Sequence, residues 1–358
     1  MKNVKAASYN VEFGSLIESN FSNFLKEKYS NSKKIIFVDD NTHEHCLDYL
    51  ITNFEELENA EIILLPAGEE NKVMEVCFQV WEALSEYKIS RKDLIINLGG
   101  GVVCDMGGFI ASIFKRGIDF IHIPTTLLAM VDASVGGKTG IDLGRYKNQL
   151  GVFANPQAIY IDPCLLQTLE EKELKNGLAE MLKHGLIMDK NHWEKVKNID
   201  VKEITLENIL HSVEIKNNVV LADPKESGER KKLNFGHTFG HAFEGFLLHS
   251  EEQIAHGHAV ALGIICESYL SHQKGYLKEE ELNEICEVIT DKFQLLAFQE
   301  DDFNALYELM LQDKKNAKQV ILAVMLTSIG DSIVDVPIDQ KEVFDALNFL
   351  LKKVSLKK

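Results

Sequence analysis

The pattern of apolar residues changes near residue 170, and this change constrains the fold of the chain more than any other feature. Before it, short β-branched runs alternate with helical patterns: the runs cover 34–38, 61–65 and 94–98, and a helical pattern covers 72–87. That alternation predicts βαβ units around a mainly parallel sheet. After it, helical patterns occupy 171–188, 201–221, 231–246, 256–272 and 279–291, and a short strand follows at 319–326. We therefore predict an α/β domain over 1–170 and an all-α domain over 171–358.

The charge of the chain limits its partners. It has 38 Lys and Arg against 55 Asp and Glu, a formal net charge of −17. This charge would repel a nucleic-acid backbone, which binding proteins neutralise with Lys and Arg. We therefore expect no nucleic-acid partner. An anionic small molecule stays compatible with the composition if basic side chains are gathered in one cleft.

The cysteines and the apolar segments indicate neither export nor a membrane partner. The six cysteines form no CxxC pair in a chain long enough to fold without disulfides, which is typical of reduced thiols in a cytoplasmic protein. The N-terminus lacks the apolar region of a signal peptide. The most lipid-like stretch, 94–114, contains five glycines and Asp105, and an acid near the bilayer centre costs about 2.5 to 3.5 kcal/mol. We interpret this stretch as a buried strand, a loop and a helix.

A glycine-rich segment at 98–108 follows a predicted strand and precedes a predicted helix. Bare backbone N–H groups at such a helix N-terminus can hold a pyrophosphate. The strict G-x-G-x-x-G fingerprint fails, because Cys104 stands where the third glycine is required. A glycine turn that only packs helix on strand is the alternative. Polar candidates for ribose and phosphate contacts follow neighbouring strands: Asp39, Asn41, Thr125 and Thr126.

A second glycine segment, 135–139, resembles the end of a P-loop. The first glycine of that motif would fall at Asp132, so the kinase or ATPase interpretation fails. We predict instead a loop that exposes Asp132 and Lys138, followed by Lys147 and Asn148. Loop lysines are usually only solvated, and this alternative remains open for both of them.

Histidines are concentrated in one region, where five of the twelve lie between 237 and 258. His237 and His241 are four residues apart and share one face of a helix, which suits a divalent metal. Neutral imidazoles do not compensate the charge of the ion, so a carboxylate would complete a three-ligand site with an open position. Glu180, in a largely apolar helix, is the candidate. Buried structural histidines are the alternative.

Arginine is rare, with four residues among the 38 basic ones. A planar guanidinium grips carboxylate or phosphate with two parallel hydrogen bonds, which lysine does not reproduce. Arg230 lies four residues before Asn234 and seven before His237, so we regard it as a candidate anion contact.

Five motifs occur in consistent order. They are Gly-Gly-Gly-Val-Val-x-Asp at 99–105, Pro-Thr-Thr-Leu-Leu-Ala-x-Val-Asp-x-Ser-Val-Gly-Gly-Lys-Thr at 124–139, Lys-Asn at 147–148, Ala-Glu-x-x-Lys-x-Gly at 179–185, and Arg-x-x-Leu-Asn-x-Gly-His-Thr-x-Gly-His at 230–241. Together they resemble the 3-dehydroquinate synthase family of the shikimate pathway, and the second motif is highly specific. The resemblance runs from about residue 37 to 330.

The resemblance implies an NAD-binding α/β domain, a helical domain that binds metal and substrate, and an active site in the cleft between them. The family is a phosphorus–oxygen lyase of aromatic amino-acid biosynthesis. Its substrate is a phosphorylated sugar acid, 3-deoxy-D-arabino-heptulosonate 7-phosphate, and its products are 3-dehydroquinate and phosphate. The steps are NAD-dependent transient oxidation, phosphate elimination, re-reduction and intramolecular aldol closure. We therefore expect NAD and zinc, or cobalt, as cofactors.

The resemblance also implies roles for individual residues. The metal ligands would be Glu180, His237 and His256. Catalytic and substrate contacts would come from Asp132, Lys138, Asn148, Lys183, Arg230, Asn234 and His241, with Lys147, Lys216 and one of the pair Lys314 and Lys315 nearby. The NAD site would be lined by Asp39, Asn41, Glu69, Lys72, Gly100, Gly101, Asp105, Thr125, Thr126 and Thr168, together with Lys138 and Lys147. Arg116 would reach across a homodimer interface to the phosphate of the neighbouring active site.

Two departures and three alternatives remain. The family has His-Gly-Glu where this chain has His256, Gly257 and His258, which leaves open which histidine binds metal. Tyr146 replaces the glycine that usually precedes the Lys-Asn pair, which leaves the loop conformation open. The alternatives are a related cyclase making aminodehydroquinate, 2-deoxy-scyllo-inosose or 2-epi-5-epi-valiolone, a metal-dependent polyol dehydrogenase, and a non-catalytic NAD-binding protein. Arg230 favours a substrate that carries a carboxylate.

Overall fold

A computed structural model describes residues 2–144, 146–247, 254–296, 298–312 and 320–357. The chain divides into two compact units. The first consists of Met1–Glu170 with Thr205–Asn217, and the second of Glu171–Ile204 with Asn218–Lys358. A segment from the later part of the chain thus groups with the first unit.

The described part of the first unit contains nine strands: β1 (Lys2–Lys5), β2 (Asn10–Phe13), β3 (Lys34–Asp39), β4 (Glu61–Leu65), β5 (Leu94–Gly99), β6 (Asp119–Pro124), β7 (Lys138–Leu143), β8 (Tyr146–Phe153) and β9 (Ile159–Ile161). Seven of them form one sheet in the order β1-β2-β9-β6-β5-β3-β4. Only β1 and β2 pair antiparallel within that sheet, which confirms the predicted mainly parallel sheet. The strand order reverses between β3 and β5, and ligands of open α/β sheets bind beyond the carboxyl ends of strands at such a reversal.

The helices of this unit cover the faces of the sheet. They are α1 (Phe21–Tyr29), α2 (Asp40–His45), α3 (Leu47–Asn53), α4 (Met74–Glu86) and α5 (Gly101–Ile113). Helix α5 packs Val103, Met106 and Ile110 into the core. It lies so close to the sheet that a Cβ at Gly107 would be 2.0 Å from Oδ1 of Asn97. The lipid-like stretch is therefore a buried strand, a glycine turn and a helix, as its composition indicated.

The segment after residue 135 differs from the predicted loop. It forms an antiparallel hairpin of β7 and β8, in which Gly140 faces Gly151. A Cβ at these two positions would lie 2.8 Å and 2.6 Å from a backbone oxygen of the opposite strand. Glycines that permit this approach also interrupt the two-residue alternation by which strands are found in a sequence. Before the hairpin, Asp132 lies in a single π-helical turn, Ala129–Ala133, a form frequent at functional sites.

The second unit is helical, as predicted, but it is not entirely α. Its helices are α6 (Glu171–Met188), α7 (Lys190–Val196), α8 (Leu206–Ala222), α9 (His237–Leu247), α10 (His256–Gln273), α11 (Glu279–Lys292), α12 (Phe303–Gln312) and α13 (Gln340–Lys357), with α8 divided between the units at Asn217. The largely buried α10 packs against α6, α9, α11 and α13. The predicted strand at 319–326 corresponds to β10 (Ile321–Ser328), and it pairs with β11 (Asp331–Ile338) through a turn at Gly330. This hairpin corrects the expectation of an all-α domain.

The predicted helix at 231–246 is interrupted before the histidine motif. A 3₁₀ turn, Glu229–Asn234, is followed by Gly236 with φ +80°, and only then does α9 begin. A Cβ at Gly236 would lie 2.8 Å from the carbonyl oxygen of Val260 in α10, so this close approach requires glycine. Within the described residues, none of the helices combines the length and apolar character needed to cross a membrane.

Candidate active site

Three potential metal ligands converge in the second unit. Glu180 of α6 is completely buried, and His237 and His256 are the first residues of α9 and α10. Oε1 of Glu180 lies 3.8 Å from Nε2 of His237 and 3.9 Å from Nε2 of His256, and one ligand atom from each lies within 4.8 Å of the others. Among the described residues Oε1 has no hydrogen-bond donor. A buried carboxylate oxygen facing two imidazoles in this way fits a divalent metal with an open position.

The other ring nitrogen of each histidine meets an oxygen. Nδ1 of His237 lies 3.2 Å from the carbonyl oxygen of Phe235, and Nδ1 of His256 lies 3.2 Å from a carboxylate oxygen of Glu244. Because a carbonyl and an ionised carboxylate only accept, each Nδ1 is assigned the proton and each Nε2 keeps its lone pair for a metal. Sequence reasoning missed Glu244, although its place three residues after His241 puts it on the same helix face.

A buried carboxylate fixes the beginning of α9. Glu267 of α10 accepts hydrogen bonds from the backbone N–H groups of Gly236 at 2.9 Å and Thr238 at 3.2 Å. These are donors that a helix N-terminus would otherwise leave unsatisfied. The bonds hold the turn from which His237 projects. Sequence reasoning missed Glu267 too, and its signal was an acid in the apolar helix 256–272.

The beginning of α10 is fixed in a similar way. Oδ1 of Asn176 in α6 accepts a hydrogen bond from the backbone N–H of Gly257. The two helices are so close here that a Cβ at Gly257 would lie 2.0 Å from the carbonyl oxygen of Asn176. This contact sets the distance between the helix that carries Glu180 and the one that carries His256.

The two remaining histidines of the motif differ in their surroundings. The ring of His241 lies 5.3 Å from that of His237 and 6.1 Å from that of His256, so it borders the metal cluster. His258 instead pairs its Nε2 with the carbonyl oxygen of Gln294, and burial lowers its pKa. The structure therefore brings His256, and not His258, to Glu180.

Arg230 is buried in the 3₁₀ turn before α9. Its Nη1 donates to the carbonyl oxygen of Pro224 at 2.8 Å. The turn is held by Asp223, which accepts from the backbone N–H groups of Gly228 at 2.6 Å and Arg230 at 3.1 Å. These N–H donors, Gly228 foremost, lower the pKa of Asp223 to about 2.

The two other substrate candidates of this unit lie beside carboxylates. Nδ2 of Asn234 donates to Oε1 of Glu226 at 2.9 Å. Lys183, which is almost completely buried, forms an ion pair with Oε2 of Glu180 one turn earlier in α6. Glu180 thus offers one oxygen to a lysine and the other to the histidine cluster.

In the first unit, the glycine turn lies at the reversal of strand order. Gly100 precedes α5 and Gly101 is its first residue. A Cβ at Gly100 would lie 3.1 Å from Cγ2 of Thr126, while the buried Thr125 donates its backbone N–H to the carbonyl oxygen of Gly99 at 3.0 Å. Exposed N–H groups at a helix N-terminus without Cβ atoms in the way fit a pyrophosphate.

Other predicted NAD contacts follow the carboxyl ends of parallel strands. Asp39 ends β3, and its Oδ1 accepts from the backbone N–H of Thr42 at 2.8 Å as the cap of α2. Asn41 is exposed in the first turn of that helix, and Glu69 lies in a 3₁₀ turn after β4. Thr168 is exposed beyond β9. The sheet therefore brings the carboxyl ends of these strands to one edge.

The buried Lys72 and the partly exposed Asp105 form an ion pair at the start of α5. Nζ of Lys72 lies 2.8 Å from Oδ2 of Asp105 and donates to Oδ1 of Asn148 at 2.7 Å. Burial raises the pKa of Asp105 and Lys72 partly offsets it, whereas the pKa of Lys72 is raised by Asp105 and Glu69 in spite of its burial. Asn148 was predicted as a substrate contact, and the structure places its side chain with this pair.

The remaining predicted cations of the first unit occupy the hairpin and α8. Nζ of Lys216 in α8 lies 2.6 Å from Oδ1 of Asp132 in the π-helical turn. Lys138 is exposed at the start of β7, and Lys147 is half-buried in β8. The pair Lys314 and Lys315 lies outside the described residues.

Arg116 occupies a strained turn after α5. Lys115, Arg116 and Gly117 have φ values of 50°, 67° and 111°, which is costly for the two residues with side chains. The carbonyl oxygen of Lys115 accepts from Nε of Arg91 at 2.6 Å. The turn presents the Arg116 side chain at the exposed surface of the unit.

Comparison with known proteins gives a consistent result. The family model described as the N-terminal part of 3-dehydroquinate synthase matches residues 62–176, and the C-terminal model matches residues 177–316. The 3-dehydroquinate synthase of Parabacteroides distasonis is 41% identical over 338 residues, covering 93% of this chain and 95% of that protein. That of Clostridium botulinum is 39% identical over 337 residues, covering 92% and 95%.

Solved structures share the whole architecture. A 2-epi-5-epi-valiolone synthase from Streptomyces hygroscopicus with NAD+ and Zn2+ bound has a TM-score of 0.80 at 26% identity and 99% coverage of both chains. A 2-deoxy-scyllo-inosose synthase complexed with carbaglucose-6-phosphate, NAD+ and Co2+ has a TM-score of 0.82 at 22% identity, covering 97% of this chain and 99% of that one. The NADH-dependent butanol dehydrogenase A of Thermotoga maritima has a TM-score of 0.69 at 14% identity, with 97% and 98% coverage. The last two show the fold alone.

Proposed function

The chain belongs to the 3-dehydroquinate synthase family, and we propose that it converts 3-deoxy-D-arabino-heptulosonate 7-phosphate to 3-dehydroquinate and phosphate. The observation that carries the proposal is the fully buried Glu180, whose Oε1 faces Nε2 of both His237 and His256. A buried carboxylate with only a structural role would be expected to accept a hydrogen bond at this oxygen. A carboxylate that binds a catalytic metal uses this oxygen for the metal and needs no such donor.

NAD+ and a divalent metal ion, zinc in our proposal, are the cofactors: when bound, NAD+ removes and returns a hydride and the metal acts as a Lewis acid. The chain's own residues hold the two groups. The turn containing Gly100 and Gly101 receives the pyrophosphate through its N–H groups, with hydroxyl groups of Thr125 and Thr126 beside it. The ribose and nicotinamide contacts in this proposal are Asp39, Asn41, Glu69, Lys72, Asp105, Lys138, Lys147 and Thr168.

In this proposal the substrate is bound and oriented by the following side chains. Arg230 grips its carboxylate with two parallel hydrogen bonds, assisted by the amide of Asn234. Lys138, Asn148 and His241 contact the phosphate, and fixed cations there stabilise the charge on the departing group. Asp132 and Lys183 hold the hydroxyl groups of the substrate. An oxygen of the phosphate, held by these contacts, takes the proton that is removed next to the oxidised carbon.

Arg230 and Asn234 also distinguish this function from two of the related cyclases. The related cyclases that make 2-deoxy-scyllo-inosose or 2-epi-5-epi-valiolone act on sugar phosphates without a carboxylate, so they have no use for this pair. A polyol dehydrogenase has no use for the phosphate contacts. The relatives at 41% and 39% identity are themselves called 3-dehydroquinate synthases.

We further propose a homodimer with shared active sites. The exposed turn at Arg116 is the reason, since its strained backbone directs a cation outward, and strain of this kind is retained where it serves a function. In the dimer, Arg116 contacts the phosphate bound by the neighbouring chain. A cytoplasmic location is proposed from the six cysteines, all free thiols and five of them buried.

Turnover measured with three readouts tests the function. Purified protein incubated with the heptulosonate phosphate and catalytic NAD+ should release phosphate and 3-dehydroquinate in equal amounts, without accumulation of NADH. A chelator should abolish the activity, and zinc or cobalt should restore it. One NADH per substrate would identify a dehydrogenase, and preferred turnover of glucose 6-phosphate would identify a different cyclase. The E180Q variant, which keeps the shape of the side chain, is the inactive control.

A further inference from the structure

Glu244 is a buried acid beside the metal cluster with no role in the reaction described above. Its carboxylate oxygens lie 3.2 and 3.3 Å from Nδ1 of His256, and the residue is 7% exposed. It lies in α9, two turns after His237. A buried carboxylate needs polar partners. One that faces the ring of a metal ligand influences the orientation of that ring and the position of its proton.

The two metal histidines differ in what holds their rings. Nδ1 of His237 donates to the backbone carbonyl of Phe235, a partner that no substitution removes. Nδ1 of His256 depends on a side chain. The side chain of His256 is also more open, 28% exposed against 11% for His237. Packing therefore confines the ring of His256 less, and its orientation depends more on the bond to Glu244.

We propose that Glu244 is a positioning residue for the metal site. It keeps the proton of His256 on Nδ1 and turns Nε2 towards Oε1 of Glu180, which sets the metal affinity of the cluster. Carboxylates that accept from metal-bound histidines act in this way in general. The inference rests on the proposed metal site of Glu180, His237 and His256.

A competing arrangement uses Glu244 as a direct ligand. His241, Glu244 and His256 also offer ligand atoms within 4.8 Å of one another. In that arrangement His256 would bind through Nδ1, and Nε2 would not serve the metal. The donor-free Oε1 of Glu180 favours the first cluster, because the competing arrangement leaves that oxygen without any partner.

Metal affinity tests the inference without reference to activity. Zn2+ and Co2+ binding to the metal-free protein is measured by competition with a chelator for wild type, E244A and E244Q. We expect the affinity to fall by about 100-fold in E244A and about tenfold in E244Q, the range seen when such partners are removed. The glutamine loses less because its amide oxygen still accepts from Nδ1. If E244A fails to fold, the nearly isosteric E244Q carries the test.

Spectroscopy separates positioning from ligation. Nitrogen NMR of the metal-free protein should find the proton of His256 on Nδ1 in wild type and E244Q, and partly on Nε2 in E244A. The visible spectrum of bound Co2+ should be unchanged in E244Q, because the ligands are the same. A changed Co2+ spectrum in E244Q, or wild-type affinity in E244A, would overturn the inference.

Two control variants distinguish a failure of the proposed metal site from a failure of the proposed role of Glu244. H258A alters the neighbouring histidine of α10, whose Nε2 faces Gln294, and it should bind metal like wild type. E180Q should lose metal binding altogether. If E180Q binds like wild type, the metal site itself is wrong. If E180Q fails to bind while E244A binds like wild type, the metal site stands and only the role of Glu244 is refuted.

Discussion

Substitution of Gly257 by alanine tests whether the contact between α6 and α10 sets the geometry of the metal cluster. A Cβ at this position would lie 2.0 Å from the carbonyl oxygen of Asn176. Carbon and oxygen atoms in close contact stay about 3.3 to 3.6 Å apart. The two helices must therefore separate locally by about 1.3 Å to accept one methyl group. Glu180 lies one turn after Asn176, and His256 directly precedes Gly257, so this separation pulls the ligands apart.

The expected effect of G257A is a loss of both stability and metal affinity. Overpacking of a core contact costs about 1 to 3 kcal/mol, which corresponds to a Tm lower by about 2 to 12 °C for a unit of this size. Ligands need to stay within about 0.5 Å of their working geometry, so metal affinity should fall at least about tenfold, as for the loss of a supporting hydrogen bond. Thermal unfolding of the metal-free protein and chelator competition measure the two effects.

Gly245 provides a matched control in the neighbouring helix. It is an exposed residue of α9, and a Cβ there would meet Cδ2 of Leu309 at 3.4 Å, an ordinary contact. Alanine is the better helix former by about 0.8 to 1 kcal/mol, so G245A should unfold at the same or a higher temperature and bind metal like wild type. If G257A behaves like G245A in both measurements, the close approach of the helices does not set the site.

Three further predictions concern pH, the ion pair of Lys72 and Asp105, and assembly. Urea unfolding at pH 6 should give a lower free energy of unfolding for D223N than for wild type. This difference should shrink as the pH falls from about 4 towards 2, because the lowered pKa of Asp223 gives stability that is lost when the carboxylate is protonated. A difference at pH 3 equal to that at pH 6 would contradict this. K72M should cost about 3 to 5 kcal/mol of unfolding free energy, since it leaves Asp105 without its cation, and adding D105N should recover part of that loss. Co-refolded R116A and E180Q chains should regain about a quarter of wild-type activity, since half of the dimers are mixed and half of their sites complete; no gain in verified mixed dimers would confine Arg116 to its own chain.

The sequence predicted those features that depend on local pattern. The strands at 61–65 and 94–98 are found there because short, continuous apolar runs of β-branched residues are typical of buried strands, and the helix at 171–188 because its apolar residues follow the helix spacing. Their spacing of four residues also predicted that His237 and His241 lie on one helix face. The hairpin at 138–153 was missed because glycines at 140 and 151 serve a close backbone contact between strands, and no local period records such a contact.

Partners supplied by tertiary structure were beyond the reach of sequence reasoning. Glu267 and Asn176 each stabilise the N-terminus of another helix. Either one read in isolation is an ordinary polar residue of an amphipathic helix. The choice between His256 and His258 was open for the same reason, since both lie in the first turn of α10 and only the neighbouring helices decide which of them meets Glu180.

The buried lysines show why an acidic composition sets only a weak limit on the choice of ligand. A net charge of −17 argues against anionic partners unless bases are gathered locally. Burial alone would favour the uncharged form of a lysine, so a buried ammonium requires a carboxylate beside it. Three buried lysines predicted at or near the site each have such a partner: Lys72 with Asp105, Lys183 with Glu180, and Lys216 with Asp132. The acids of these pairs compensate the charge of the lysines, so part of the acidic excess is what a site for phosphate and carboxylate groups requires.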